Sequence, residues 1–494
     1  MFKRILAPTM VGFLLAAGMT EATAAPQPPT LASGEEFEAA IAEGRYDDAL
    51  GMLDAIQAHP NFRSAQPQMR ATVLLLRGGL LVELQRREEA IEAFREAALA
   101  NPEASEAWFS LLELVGLDLD HTAMARVLTE AVQRSPRLRE EIVDDYVYFI
   151  AQSEEVPDDV AFELRAALFD YGWRARHDDG IWFRHLNDLM ERDDDQRALA
   201  VVREIESPSG QARLLAARRY DGLREAAGLT EPDFTALTLE DLERDRAAAA
   251  ETGAPLSTRL DLSTTLMDLG HYEEVLAVTE AGLASLESDD ASEDWSTQTW
   301  LMNYRSRALM ELGRHDEALL EQQRAAGRLE NGGRNISQTI NLGWTYLRLG
   351  RSEEAMTAVA GMVAGDDISA YGVMQAVQVR ACAAHALGDT TTVEASMAHL
   401  SGNWDDAPGA YLEALACVGD IDGMAELTIR RLGDPDHVDQ ALADLHDYLE
   451  PGVQTEHDRR VRAALIEMRS RDDVIAARDA VGRQLTLPTR GSQF

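Results

Sequence analysis

One short phrase keeps returning in this chain, and its spacing limits the possible folds more than any other feature. It reads Gly44-Arg45-Tyr46-Asp47-Asp48-Ala49, Gly270-His271-Tyr272-Glu273-Glu274-Val275, Gly313-Arg314-His315-Asp316-Glu317-Ala318 and Gly350-Arg351-Ser352-Glu353-Glu354-Ala355, with weaker copies at Gly388-Asp389 and Gly419-Asp420. Such a glycine can take the left-handed backbone that ends a helix. The acids behind it then fall in the first turn of the next helix, where the helix dipole favours negative charge. From Gly270 the glycines follow at intervals of 43, 37, 38 and 31 residues. The phrase marks the bend of a helix hairpin, and a hairpin that cannot bury its own apolar face must stack on the next.

The helices carry a second pattern. Residues 71–104 place Leu74, Gly78, Leu81, Ala90, Phe94, Ala97 and Pro102, and residues 105–138 place Trp108, Leu111, Ala131 and Pro136, the two prolines 34 residues apart. Residues 336–369 place Leu342, Gly343, Tyr346, Gly350, Ala355 and Val359. In these positions the chain resembles the tetratricopeptide repeat family, whose unit is two antiparallel helices in about 34 residues. The resemblance implies an all-α fold, an α-α superhelical solenoid of helix hairpins. Residues 36–225 form the N-terminal repeats, divergent after 139, where Arg192-Asp193-Asp194-Asp195 replaces the glycine turn. Residues 226–255 read as an irregular join, 256–404 as the best-preserved repeats, and 405–494 as degenerate repeats and a tail. Ser288–Asp294 reads as a solvated loop between repeats.

The first residues look like an address. Lys3 and Arg4 precede an apolar run from Ile5 to Met19, and Ala22 and Ala24 have the spacing a signal peptidase accepts. A run of 15 residues that includes Pro8 is short of the roughly 20 needed to cross a bilayer. We expect residues 1–24 to be removed as a signal peptide, leaving a Pro-rich lead-in over 25–35 and no transmembrane segment. The product is expected to be periplasmic or secreted.

Charge narrows the partners. With 46 basic and 86 acidic residues the net charge is −40, which disfavours nucleic acid and anionic membranes. Lys3 is the single lysine, so the mature chain offers neither a Schiff-base lysine nor a phosphate-loop lysine. There is no H-E-x-x-H, C-x-x-C or G-x-S-x-G either. His177-Asp178-Asp179 with His185, and His437-Val438-Asp439 with His446, are the nearest approach to metal ligands, and read better as histidines on solvated acidic faces. No cofactor is expected, and no enzyme.

In the family the first helix of each pair lines the inner groove, and its facing positions carry over as Trp300, Asn303, Arg307, Trp344, Arg348, Gln378 and His385. Tryptophan and arginine often carry interface energy, and arginine can pair with a peptide carboxylate. The competing role for Trp300 and Trp344 is packing between repeats. The lysine/asparagine clamp with which some relatives hold a C-terminal carboxylate is not reproduced. Cys382 and Cys417, nearly one repeat apart on first helices, either bridge or sit as separate small core residues. Relative to their turn glycines they are offset by about one helical turn, which favours separate thiols.

The expected function is a non-catalytic scaffold of the bacterial cell envelope that binds a protein or peptide. The alternatives are a structural or assembly component of an envelope complex, or an enzyme with its site hidden in the divergent helices.

Overall fold

A computed structural model describes residues 33–117, 120–142, 144–153, 155–174, 179–284, 295–329, 333–362 and 368–491. The signal segment, most of the Pro-rich lead-in and the Ser288–Asp294 loop lie outside the described residues. Every regular element among the described residues is helical, and the β-structure is limited to isolated bridges such as Ala217–Gly482 and Asp447–Thr486. The chain divides into two compact units between Val202 and Arg203.

In the first unit the pairs Gly34–Ala42 with Tyr46–Ala58, Pro67–Glu83 with Arg87–Ala100, and Ser105–Gly116 with His121–Arg134 stack in chain order. The repeat residues explain the packing. Phe94 is fully buried over Gly78, where an added Cβ would meet its ring at 2.5 Å. Trp108 is fully buried and donates its indole N–H to the Pro102 carbonyl at 3.1 Å, so the aromatic of one repeat locks the turn that precedes it. After residue 135 the pattern shortens to Pro136–Glu141 and Asp144–Ala151, and Asp158–Asp170 packs back on His121–Arg134.

The second unit stacks Leu256–Asp268 with Tyr272–Ala284, Trp295–Glu311 with His315–Ala326, and Ile336–Arg348 with Ser352–Ala358. Ala370–Leu387 with Thr390–Gly402 and Pro408–Val418 with Ile421–Leu432 continue the series. Residues 226–255, expected as a join, contain the 17-residue helix Phe234–Ala250, whose Leu242 enters the core of the following pair.

The turn glycines do what the phrase requires: φ is +75° at Gly313 and +71° at Gly350. Gln85 and Asp193 hold the same left-handed backbone, at +58° and +55°, without being glycine. Four turns share a contact the phrase had concealed. The arginine after the turn pairs with the acid three residues on, in Arg45–Asp48, Arg86–Glu89, Arg314–Glu317 and Arg351–Glu354, at 2.8, 2.6, 2.6 and 2.7 Å. None of these arginines caps the helix with its side chain, so the salt bridge braces the first turn instead.

The last part of the second unit does not simply add rungs. Arg483 grips Asp221 through two hydrogen bonds of 2.9 and 2.7 Å, and its backbone N–H donates to Ala216 at 2.9 Å. Asp439, buried, accepts from Arg213, from Arg219 at 2.6 Å and from the Tyr220 hydroxyl at 3.0 Å. The stretch 208–227 that opens this unit is therefore tied to 439–483 near its end.

Candidate binding site

The inner helices of the second unit are met by their own C-terminal segment. Arg348 ends the helix Ile336–Arg348 and chelates Asp458, near the start of Glu456–Arg469, through contacts of 2.9 and 3.1 Å. It also reaches Glu311 at 3.1 Å. Glu311, nearly inaccessible to solvent, takes a further ion pair from Arg490 at 2.9 Å and a hydrogen bond from the Gly452 N–H at 2.9 Å. Its own carbonyl accepts from Val453 at 2.8 Å. Two carboxylates and two guanidiniums thus neutralise each other between segments more than 100 residues apart in sequence.

The electrostatics follow from that pairing. Burial by itself would raise the Asp458 carboxyl, but the charge and hydrogen bonds of Arg348 hold it below its ordinary value. Burial likewise works against the Arg348 cation, and Asp458 and Glu311 outweigh it. His457, next in sequence, is pushed down to about 4 by burial and stays neutral at pH 7. Its ring lies 6.3 Å from that of Trp344.

Between the inner helices and this C-terminal roof a cavity of about 520 Å³ remains. Trp300, Asn303, Arg307, Trp344, Arg348 and Gln378 all line it, from three successive rungs. His385 does not line it; it stands exposed near the end of Ala370–Leu387. Their states differ. Trp300 is exposed and Trp344 half-buried, so neither is wholly spent on packing. Asn303 is buried and donates to Gln322 at 3.1 Å, which in turn donates to Gln338, an amide ladder joining two rungs. Arg348 is engaged as above, and so are Arg462, with Glu450 at 2.6 Å, and Arg490. Arg307 is exposed, lies 5.4 Å over the Tyr304 ring, and has no carboxylate partner among the described residues.

At another wall Gln378 donates its amide to Glu413, whose carboxyl burial pushes up to about 7, with the charge of Asp444 adding to the effect. Glu413, Tyr371 and the whole C-terminal roof escaped the sequence reading. Glu413 lies on a degenerate rung with no consensus to mark it, and the roof is a contact between segments that share no repeat spacing.

Cys382 and Cys417 form a disulfide, with Cα atoms 5.4 Å apart. The expectation of separate thiols is corrected. Cys382 lies six residues before Gly388 and Cys417 two before Gly419, so the bridge shows that the two helices do not align at their turn glycines. A slide of one turn, about 6 Å at 1.5 Å per residue, brings the sulfurs together.

The two histidine groups also differ from the sequence reading. His185 is fully buried against Phe162 and Phe169, at centroid distances of 5.5 and 6.0 Å, and burial pushes it down to about 3. His446 is buried as well, while His437 turns to Asp405 and Asp439 to the arginines. These histidines serve packing and hydrogen bonding, not a solvated face; His177 and Asp178 lie outside the described residues. No group of three or more His, Cys, Asp or Glu among the described residues is placed to hold a metal. Among the described residues no helix is long and apolar enough to cross a membrane.

A tetratricopeptide repeat model matches residues 71–103, a single rung. A search of curated proteins finds no match. Among solved structures, the APC/C hetero-tetramer Cut9–Hcn1 is similar at 13% identity and a TM-score of 0.31, over 90% of this chain and 79% of that one. The TPR domain of P58(IPK) is similar at 12% identity and a TM-score of 0.18, over 88% and 95%. Nothing about function follows from either. Each unit is an all-α, tetratricopeptide-like stack of helix hairpins.

Proposed function

We propose that the second unit holds a peptide segment of a protein partner in the roofed cavity, and that the chain is a binding scaffold with no chemistry of its own. One observation carries this reading. Every other arginine lining the cavity is neutralised within the chain, whereas Arg307 is left exposed in the cavity that Trp300 and Trp344 also line. A cation in a cavity partly lined by tryptophans suits a carboxylate on an apolar segment. A volume of about 520 Å³ suits a few residues better than a peptide running the length of the groove.

The compartment belongs to the same proposal. The signal-like residues 1–24 and a bridged cysteine pair both favour export to an oxidising envelope compartment. The mature protein recovered from a periplasmic fraction should begin at Ala25 by mass, and an intact Met1 in the cytosol would overturn the assignment.

Binding is tested by capture from an envelope extract, comparing wild type with Arg307→Glu and Trp344→Ala. We expect both variants to lose the same captured partner while keeping wild-type helicity. An unchanged set of captured proteins would remove the cavity from consideration and favour a role in envelope assembly through another surface.

A further inference from the structure

We infer that the Gln378–Glu413 corner of the cavity receives a cationic group, an ammonium or guanidinium, of the same ligand whose carboxylate meets Arg307. The inference rests on the reading that this cavity is the binding site, and it adds the second charge that the ligand must carry.

Three observations lead there. Gln378 is fully buried; its amide nitrogen is used on Glu413, and its Oε1 lines up with no donor among the described residues. A buried acceptor without a donor is costly and is normally matched by something. Glu413 has no arginine of its own, because Arg348, Arg462 and Arg490 are committed to Asp458, Glu450 and Glu311. The corner therefore holds a buried acceptor without a donor and a carboxyl without a cation of its own, and the groups rich in N–H donors and lacking acceptors are ammonium and guanidinium.

Tyr371 supplies an aromatic face at the same wall. Its side chain lines the cavity and is exposed, and its hydroxyl is raised first by burial and then by the nearby Glu413 charge. A cation resting against a ring beside a carboxylate gains from both.

The third observation is preorganisation. Gln378 lies four residues before Cys382, and Glu413 four residues before Cys417, so each pair member sits one helical turn from the disulfide. The bridge pins the slide between the two helices at the place where the acceptor pair needs it. Loss of the bridge would let the helices move and separate Gln378 from Glu413.

The test uses isothermal titration of the full mature chain with the tripeptide Lys-Ala-Phe, its Nα-acetyl form, its Nε-acetyl-lysine form and its C-terminal amide. The free tripeptide should bind. Acetylating one of the two amines should weaken binding about tenfold or more and identify the source of the cation, and Glu413→Gln should cause the same loss. Amidation should weaken binding to wild type but not to Arg307→Gln. Equal binding of the free and both acetylated forms, undiminished binding to Glu413→Gln, or no binding of any form at millimolar concentration would each overturn the inference. Partner capture separates the two levels. If Arg307→Glu abolishes capture and Glu413→Gln leaves it intact, the acceptor corner is refuted and the cavity stands. If neither variant alters capture, both fall.

Discussion

Residues 67–134 and residues 295–358 each build two stacked hairpins, yet their interiors are chemically unlike. The first is closed by Phe94, Trp108, Leu111 and Leu128, with Ser105 and Ser110 its chief buried polar groups on the inner helix. The second buries Gln298, Thr299, Asn303, Ser306, Glu311, Gln322 and Gln338. The difference lies in what each inner face must meet. An apolar face needs only another apolar face of the right volume, and the next rung provides it. In the second region Glu311 is matched by a segment more than 100 residues later, and Asn303, Ser306, Gln322 and Gln338 are matched by one another and by adjacent helices. There each polar group must be matched individually, or it costs more than it contributes. The first region is held by generic packing and the second by specific pairing.

The sharpest way to break that contrast is Glu311→Ala. It strips a shared carboxylate from Arg348 and Arg490 and an acceptor from Gly452, and should cost the second unit about 3–5 kcal/mol in urea unfolding. Hydrogen exchange should rise over 451–462 while residues 67–134 keep their protection. Equal loosening of both regions would mean that the contrast is not real.

Removing the disulfide should act almost as strongly. Cys382 and Cys417 close a loop of 35 residues, for which chain entropy gives about 4 kcal/mol. Reductant should lower the second unit's unfolding midpoint and leave the first unit unchanged.

His185 probes the first unit through pH. Its native value of about 3 lies below the unfolded value near 6.5, so the unfolded chain takes up a proton that the native chain refuses. Stability is whole above pH 6.5 and declines as pH falls toward 3. At pH 5 the loss should be about 2 kcal/mol, and His185→Leu should remove that part of the slope. An identical pH profile for the variant would show that the ring is not excluded from water.

The smallest effect lies in the turns. Gln85→Gly and Asp193→Gly relieve a left-handed backbone that costs a side chain about 1–2 kcal/mol, offset in part by the flexibility glycine adds to the unfolded state. Each should gain about 0.5–1 kcal/mol, and a loss would show that the side chain itself holds the turn.

Much of this was legible in advance. The Gly-x-x-acid-acid phrase located the hairpins because glycine conformation and helix charge are local properties. Gly78, Phe94, Trp108 and Pro102 were legible because their contacts fall within one repeat. Six of the seven groove residues line one cavity for the same reason: rung spacing fixes which helix face points inward. The fate of those residues was not legible. Asn303 entered a buried amide ladder and Arg348 a buried ion network, because their partners are set by which other rungs and segments come to lie against them.

By itself, then, the sequence determined that the chain folds into helix hairpins, where they bend and which face turns inward, since all three depend on residues within about one turn or one repeat of each other. The tertiary structure alone decided that the inner face of the second unit is roofed by residues 451–462 and Arg490, and that Arg307 has no carboxylate partner among the described residues in the cavity that Trp300 and Trp344 also line. It also decided that Gln378 and Glu413 share a corner with a disulfide one turn away. Those pairings join segments with no common spacing, and only the path of the whole stack brings their charges within reach.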